Sequence, residues 1–81
     1  MGRKEILSQI NEIFIDTLDN SEIDIEETTQ ATDVDEWDSL THILLVVAIE
    51  KKFEIRFTSK EIQSWIHVGA MIDTILTKFQ N

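Results

Sequence analysis

Apolar side chains at positions 6, 7, 10, 13, 14 and 18 recur at helical spacing along KEILSQINEIFIDTL, so residues 4–18 predict an amphipathic helix. The period then stops. Residues 19–37, DNSEIDIEETTQATDVDEW, are polar and acidic, interrupted only by Ile23, Ile25, Ala31, Val34 and Trp37. A connection this long is unusual in a small domain, and those five apolar residues are expected to pin it to the core. Asp38 is a good N-cap for a second helix from Ser39 to about Phe53. Thr58-Ser59-Lys60-Glu61 has capping-box spacing and opens a short helix through Ser64. The last helix runs from about His67 to Phe79, with apolar residues at 68, 71, 72, 75, 76 and 79. Its start reads as poorly capped, because Ile66 and His67 offer little to the free amides. The fragment EIRF, residues 54–57, is too short to build a sheet. These elements predict an all-α four-helix bundle: three longer helices, one short helix, and a long loop between helices one and two.

The second helix is apolar on two sides. Leu45, Ile49 and Phe53 line one stripe with Val46 beside it, while Leu40, Ile43, Leu44 and Val47 fall on the other. Burial of the first set contributes roughly 1.5–3 kcal/mol per side chain. A helix apolar on both sides is either wholly buried or offers its second side to a partner. Full burial is difficult in 81 residues. Leu40, Leu44 and Val47 are therefore expected to form a docking patch beside Ser39; the competing expectation is that the long loop folds over this face.

Composition narrows the class. There is no cysteine, so neither a disulfide nor a thiolate metal site holds the fold. The longest apolar run, Ile43–Ile49, falls far short of the roughly 18 residues of a membrane span. The N-terminus, MGRKEILS, lacks a secretory signal pattern, and Ile6 stands where a myristoylation motif requires a hydroxyl. One cytoplasmic, monomeric domain over residues 1–81 is the expectation. Eleven acids and no base lie between Glu12 and Asp38, whereas the rest of the chain carries seven bases and five acids. So acidic a segment disfavours nucleic acid and favours a basic protein surface.

The chemistry centres on DEWDSL, residues 35–40, where Ser39 sits between the acidic loop and the apolar helix. A nucleophilic serine with His42 as base lacks an orienting group and oxyanion donors, and its acidic surroundings oppose developing negative charge. A calcium loop starting at Asp33 fails, because Trp37, Asp38 and Leu44 occupy positions that need a ligand, a glycine and a bidentate glutamate. No metal is expected. A third reading makes Ser39 a passive attachment point. A phosphodiester there would face free backbone amides and the positive end of the helix dipole.

Asp38-Ser39-Leu40 followed by LVVAIEKKF (45–53), the EIRFTSKEI connection and VGAMIDTI (68–75) together resemble the acyl carrier protein family, over essentially the whole chain. The resemblance implies an acyl-carrier-like bundle that is not an enzyme. Ser39 would carry a covalent 4′-phosphopantetheine from coenzyme A, attached by a phosphopantetheinyl transferase that recognises Asp38 and Leu40. The arm would hold acyl groups as thioesters for loading and processing enzymes: ligases, ketosynthases and acyltransferases. It also implies partner docking on helix two, where Leu40, Ile43 and Val47 match apolar contact positions and Glu50 an acidic one; Leu44 joins them from the apolar pattern alone. An acyl groove would lie near Leu45, Ile49, Ile62 and Trp65.

This chain departs from the family pattern in two places. Glu36 stands where many members have glycine, with Trp37 after it, and Leu44, Lys51 and Lys52 replace acids that are usual on helix two. Steering by basic fatty-acid synthesis enzymes is then weakened, and a dedicated partner in a specialised fatty-acid or polyketide-like pathway is expected. An aminoacyl or peptidyl carrier is the alternative within the same chemistry. An unmodified acidic helical module that binds a basic protein is the alternative outside it.

Overall fold

The computed structural model describes residues 2–65 and 67–79. Its helices are α1 (Arg3–Leu18), α2 (Ser39–Phe53), α3 (Ser59–Gln63) and α4 (Val68–Phe79), with a 3-10 turn at Ala31–Asp33. Among the described residues there is no strand, and the all-α expectation is met. Helix α1 buries Ile6, Ile10, Ile13, Phe14 and Leu18 against both α2 and α4. Helix α2 contributes Leu45, Val46, Ile49 and Phe53, and α4 contributes Val68, Met71, Ile72 and Ile75. The helical periods thus converge on one apolar core, and its burial is what offsets the chain entropy of so small a domain.

The short helix forms as its spacing predicts. Thr58 Oγ1 accepts the Glu61 amide at 3.1 Å, and Glu61 Oε1 accepts the Thr58 amide at 2.8 Å. Glu61 also pairs with Lys78 Nζ at 2.9 Å, which ties α3 to the end of α4. Helices α1 and α2 both end in a left-handed residue that is not glycine, Asp19 at φ 53° and Glu54 at φ 56°.

The long connection is held by apolar and polar anchors together. Ile23, Ile25 and Trp37 are buried and Val34 packs against the core, but Ala31, expected among the anchors, is exposed. The Asn11 carboxamide oxygen accepts the Ile25 amide at 2.8 Å, fixing the loop to α1. Further along, the Thr29 carbonyl accepts the Val68 amide at 3.0 Å and the Glu27 carbonyl accepts the Gly69 amide at 2.8 Å. His67 Nδ1 accepts the Ala70 amide at 3.2 Å.

The start of α4 is therefore well capped, contrary to the expectation for His67; Ile66 lies outside the described residues. The donors are satisfied by loop carbonyls distant in sequence, which no local capping pattern reveals. Arg3 closes this corner with ion pairs to Glu27 and Asp73, both at 2.6 Å. That contact holds the Glu27 carboxyl below its ordinary range, the hydrogen bond from Arg3 being the main cause.

Candidate functional site

Ser39 is the first residue of α2, and its position is set by the residue before it. Asp38 adopts an extended backbone, and its Oδ1 accepts the Leu40 amide at 3.0 Å and the Thr41 amide at 2.9 Å. Thr41 completes a reciprocal cap: its Oγ1 accepts the Asp38 amide at 2.8 Å and donates to the Glu36 carbonyl at 2.7 Å. These bonds hold the Asp38 carboxyl below its ordinary 3.8, the Thr41 amide being the largest cause. A carboxylate that accepts backbone N–H groups is stabilised in its charged form. Ser39 itself is exposed, and its hydroxyl bonds to no described residue.

Beside Ser39 lies an open cleft of about 520 Å³, lined by Ala31, Trp37, Asp38, Ser39, His42, Ile62, Gln63 and Trp65. Its wall is aromatic. Trp37 meets Phe14 edge-on at 5.0 Å and stacks on His42 at 6.0 Å, while His42 meets Trp65 edge-on at 5.9 Å. Phe57 backs Trp65 at 4.8 Å. Each indole N–H has a partner: Trp37 Nε1 donates to His42 Nδ1 at 3.0 Å, and Trp65 Nε1 donates to Thr74 Oγ1 at 3.1 Å. Burial pushes the His42 pKa down, partly opposed by a backbone hydrogen bond to Ile62. His42 is thus a neutral wall residue whose Nδ1 is committed to Trp37. It is not placed as a base for Ser39.

The first-turn amides correct one expectation about an attached phosphodiester. The Leu40 and Thr41 amides are already taken by Asp38, so they are not free for a phosphate. What remains is the amide of Ser39 itself, the helix dipole and solvent. A phosphopantetheine still fits here: the acceptor oxygen is exposed and unengaged, the cap beneath it is self-contained, and the cleft gives the arm a surface.

The other candidates are spread over three settings. Leu40, Ile43, Leu44 and Val47 are 71, 61, 50 and 47% exposed, and the long loop does not cover them. Glu50 is half-buried, and its Oε2 accepts the Phe57 amide at 2.9 Å, so one carboxylate oxygen already holds the connection into α3. Leu45 and Ile49 are wholly buried in the core, whereas Ile62 and Trp65 line the cleft. Among the described residues no His, Asp and Glu side chains group so as to hold a metal ion, and no helix is long and apolar enough to cross a membrane.

Three contributors were not anticipated: Trp37 and His42 as cleft wall, and Thr41 as second half of the cap. Signals for them exist. Thr41 stands three residues after Asp38, at capping-box spacing, and His42 follows Ser39 by three on the same helix face.

No protein-family model and no curated protein sequence matches the chain. Among solved structures it is similar to a solution structure of holo acyl carrier protein from Geobacter metallireducens. The two are 34% identical at a TM-score of 0.85, over 91% of this chain and 85% of that one.

Proposed function

This chain belongs to the acyl carrier protein family, and we propose that it works as a holo carrier, with Ser39 bearing a 4′-phosphopantetheine arm. The observation that carries the reading is the Ser39 hydroxyl, exposed and unengaged at the start of a helix that caps itself, with a cleft alongside. In the loading step the Ser39 oxygen attacks the pantetheine-bearing phosphorus of coenzyme A. The new oxygen–phosphorus bond forms as the pyrophosphate bond breaks, adenosine 3′,5′-bisphosphate leaves, and the serine proton passes to a base of the transferase. His42 is not placed to be that base, since its Nδ1 is bonded to Trp37. When bound, the arm supplies a terminal thiol that holds an acyl group as a thioester.

The residues around Ser39 divide the remaining work. Asp38 and Leu40 present the attachment motif to the transferase. Leu40, Ile43, Leu44 and Val47 supply an apolar docking face for acyl-loading and acyl-processing enzymes. The α2 sequence carries Lys51 and Lys52 at its end and no acid in its first turn, which favours partners recognised by apolar contact over partners drawn in by charge. A specialised cytoplasmic pathway suits that surface better than general fatty-acid synthesis.

The test is incubation of the purified chain with coenzyme A and a broad-specificity phosphopantetheinyl transferase, followed by intact mass. Uptake of one phosphopantetheine, abolished in Ser39→Ala with an unchanged melting curve, is the expected result. No uptake by the folded protein overturns the carrier reading in favour of an unmodified interaction module.

A further inference from the structure

The exposed stripe of α2 changes character along its length. Leu40, Leu44 and Val47 stand at i, i+4 and i+7, and the next residue of that series, at i+11, is Lys51. All four are exposed. Past Val47 the surface opens into a cleft of about 390 Å³, lined by Val47, Glu50, Lys51, Glu54, Ile55 and Arg56. The apolar stripe therefore runs directly into a surface that carries bases.

The charges at this end are not balanced. Lys51, Lys52, Arg56 and Lys60 are all exposed, and none has an ion-pair partner among the described residues. The acids interleaved with them are largely committed. Glu50 is half-buried with Oε2 on the Phe57 amide, and Glu61 is half-buried and paired with Lys78. Glu54 is the one exposed acid from residue 50 to residue 61. At the Ser39 end the sign is opposite: Asp35 and Asp38 are exposed, and no base lies between Glu12 and Asp38. Lys51 follows Ser39 by twelve residues, so roughly 18 Å of helix separates the acidic end from the basic one.

A docking face whose charge reverses along its length fixes which way round a partner sits, and like charges across the contact are costly. We propose, resting on the carrier reading of Ser39, that the enzymes this protein serves carry acidic groups opposite Lys51 and Arg56, on the side of an apolar socket away from the entrance for the arm. The apolar stripe holds the complex. The basic end sets its orientation and turns away enzymes whose docking face is basic throughout.

The test loads Ser39 with octanoyl-phosphopantetheine and measures kcat/KM for acyl transfer to a fatty-acid-synthesis ketosynthase with a basic docking face. The same enzyme with the bases farthest from its arm entrance replaced by Glu is the second acceptor. Each is assayed with wild type and with the Lys51→Glu/Arg56→Glu carrier at low salt. Wild type should favour the Glu-substituted enzyme by roughly tenfold, and the substituted carrier should favour the unaltered enzyme by a similar factor. Both preferences should fade at about 1 M salt, where the Debye length is roughly 3 Å. The two carriers should melt alike, because both substituted side chains are exposed.

A wild-type carrier used best by the unaltered basic enzyme, or a preference that ignores the two substitutions, overturns the acidic partner. Absence of transfer even in the charge-matched pairings, from a carrier that loads, overturns it too, since charge then does not decide acceptance. Sedimentation of wild type with phosphatidylglycerol vesicles, lost in the substituted carrier and accompanied by no enzyme preference, assigns the bases to an anionic lipid surface instead. Failure of Ser39 to take up any acyl-phosphopantetheine removes the carrier reading itself, a result separable from the others.

Discussion

The starts of α2 and α4 solve the same physical problem in opposite ways. Both present backbone N–H groups that no earlier turn can satisfy. At α2 the answer is local: Asp38 takes the Leu40 and Thr41 amides, and Thr41 returns a bond to the Asp38 amide. At α4 the answer is distant: carbonyls of Thr29 and Glu27 cover Val68 and Gly69, and Arg3 locks the covering loop down. The first leaves the outside of the helix end open. The second seals it. A carrier needs one end it can offer to an enzyme, and only a self-contained cap gives an ordered helix start with nothing lying over it.

The sharpest way to break the sealed end is Gly69→Val. A Cβ at Gly69 would lie 3.1 Å from the Glu27 carbonyl oxygen and 3.1 Å from His67 Nδ1. The carbonyl cannot retreat without losing the 2.8 Å bond it accepts from the Gly69 amide. Overpacking of this kind costs roughly 1–3 kcal/mol, and the γ-methyls of valine add to the crowding. Thermal melting should fall by several degrees, while uptake at Ser39 in the folded fraction stays at the wild-type level. A Gly69→Val protein as stable as wild type would show that the loop does not depend on this close approach.

The open end breaks more gently. Asp38→Ala removes the acceptor of two amides and should lower the denaturant midpoint; Asp38→Asn, which keeps an acceptor, should lower it much less. The pH dependence has a definite sign. The folded Asp38 carboxyl sits below its ordinary 3.8, so its contribution is fully present above that value and is lost as pH falls through the lower folded value. Wild type and Asp38→Asn should therefore converge on acidification. Curves that stay parallel would assign the cap to shape alone.

Helix periods and the buried stripe of α2 were legible because they repeat: Leu45, Val46, Ile49 and Phe53 obey a spacing that only a helix satisfies. The exposed stripe was legible for the same reason, although exposure itself required knowing where the loop went. Asp38 and Ser39 could be read locally, since an N-cap acts within three residues. The seal on α4 could not. It joins Glu27 and Thr29 to residues some forty positions later through backbone carbonyls, and a carbonyl carries no residue signature. The aromatic wall lay between these cases. Trp65 was expected near a groove and His42 was weighed only as a base for Ser39, yet the ring-to-ring bond from Trp37 to His42 emerges only once the loop is folded back.

His42 offers a third perturbation, weaker and reversible, at the wall behind the open end. Burial lowers its pKa from 6.5, so the unfolded chain binds a proton there before the folded protein does. Stability should fall as pH drops below 6.5 and level off once the folded protein also protonates. Protonation turns Nδ1 from acceptor to donor against the Trp37 N–H, which opposes the 3.0 Å bond. His42→Asn should flatten the slope of melting temperature over this window. Retention of the full slope would place the titrating group elsewhere.

The smallest expected effect lies at the far end of α2 and calibrates the others. Glu54 holds φ 56° with a side chain that a left-handed residue does not welcome, and it is exposed. Glu54→Gly relieves that strain, against the larger backbone entropy of glycine in the unfolded chain, and should stabilise by about 0.5–1 kcal/mol. The melting temperature should rise by roughly 2–8 °C. Because Glu54 touches neither helix start, this gain should leave the Asp38 acid dependence and the His42 slope unchanged. Combined with Asp38→Ala, it should add independently, since the two sit at opposite ends of one helix and share no partner. A non-additive pair would mean that the two ends of α2 communicate through the helix, and that the start bearing Ser39 is less self-contained than its hydrogen bonds make it.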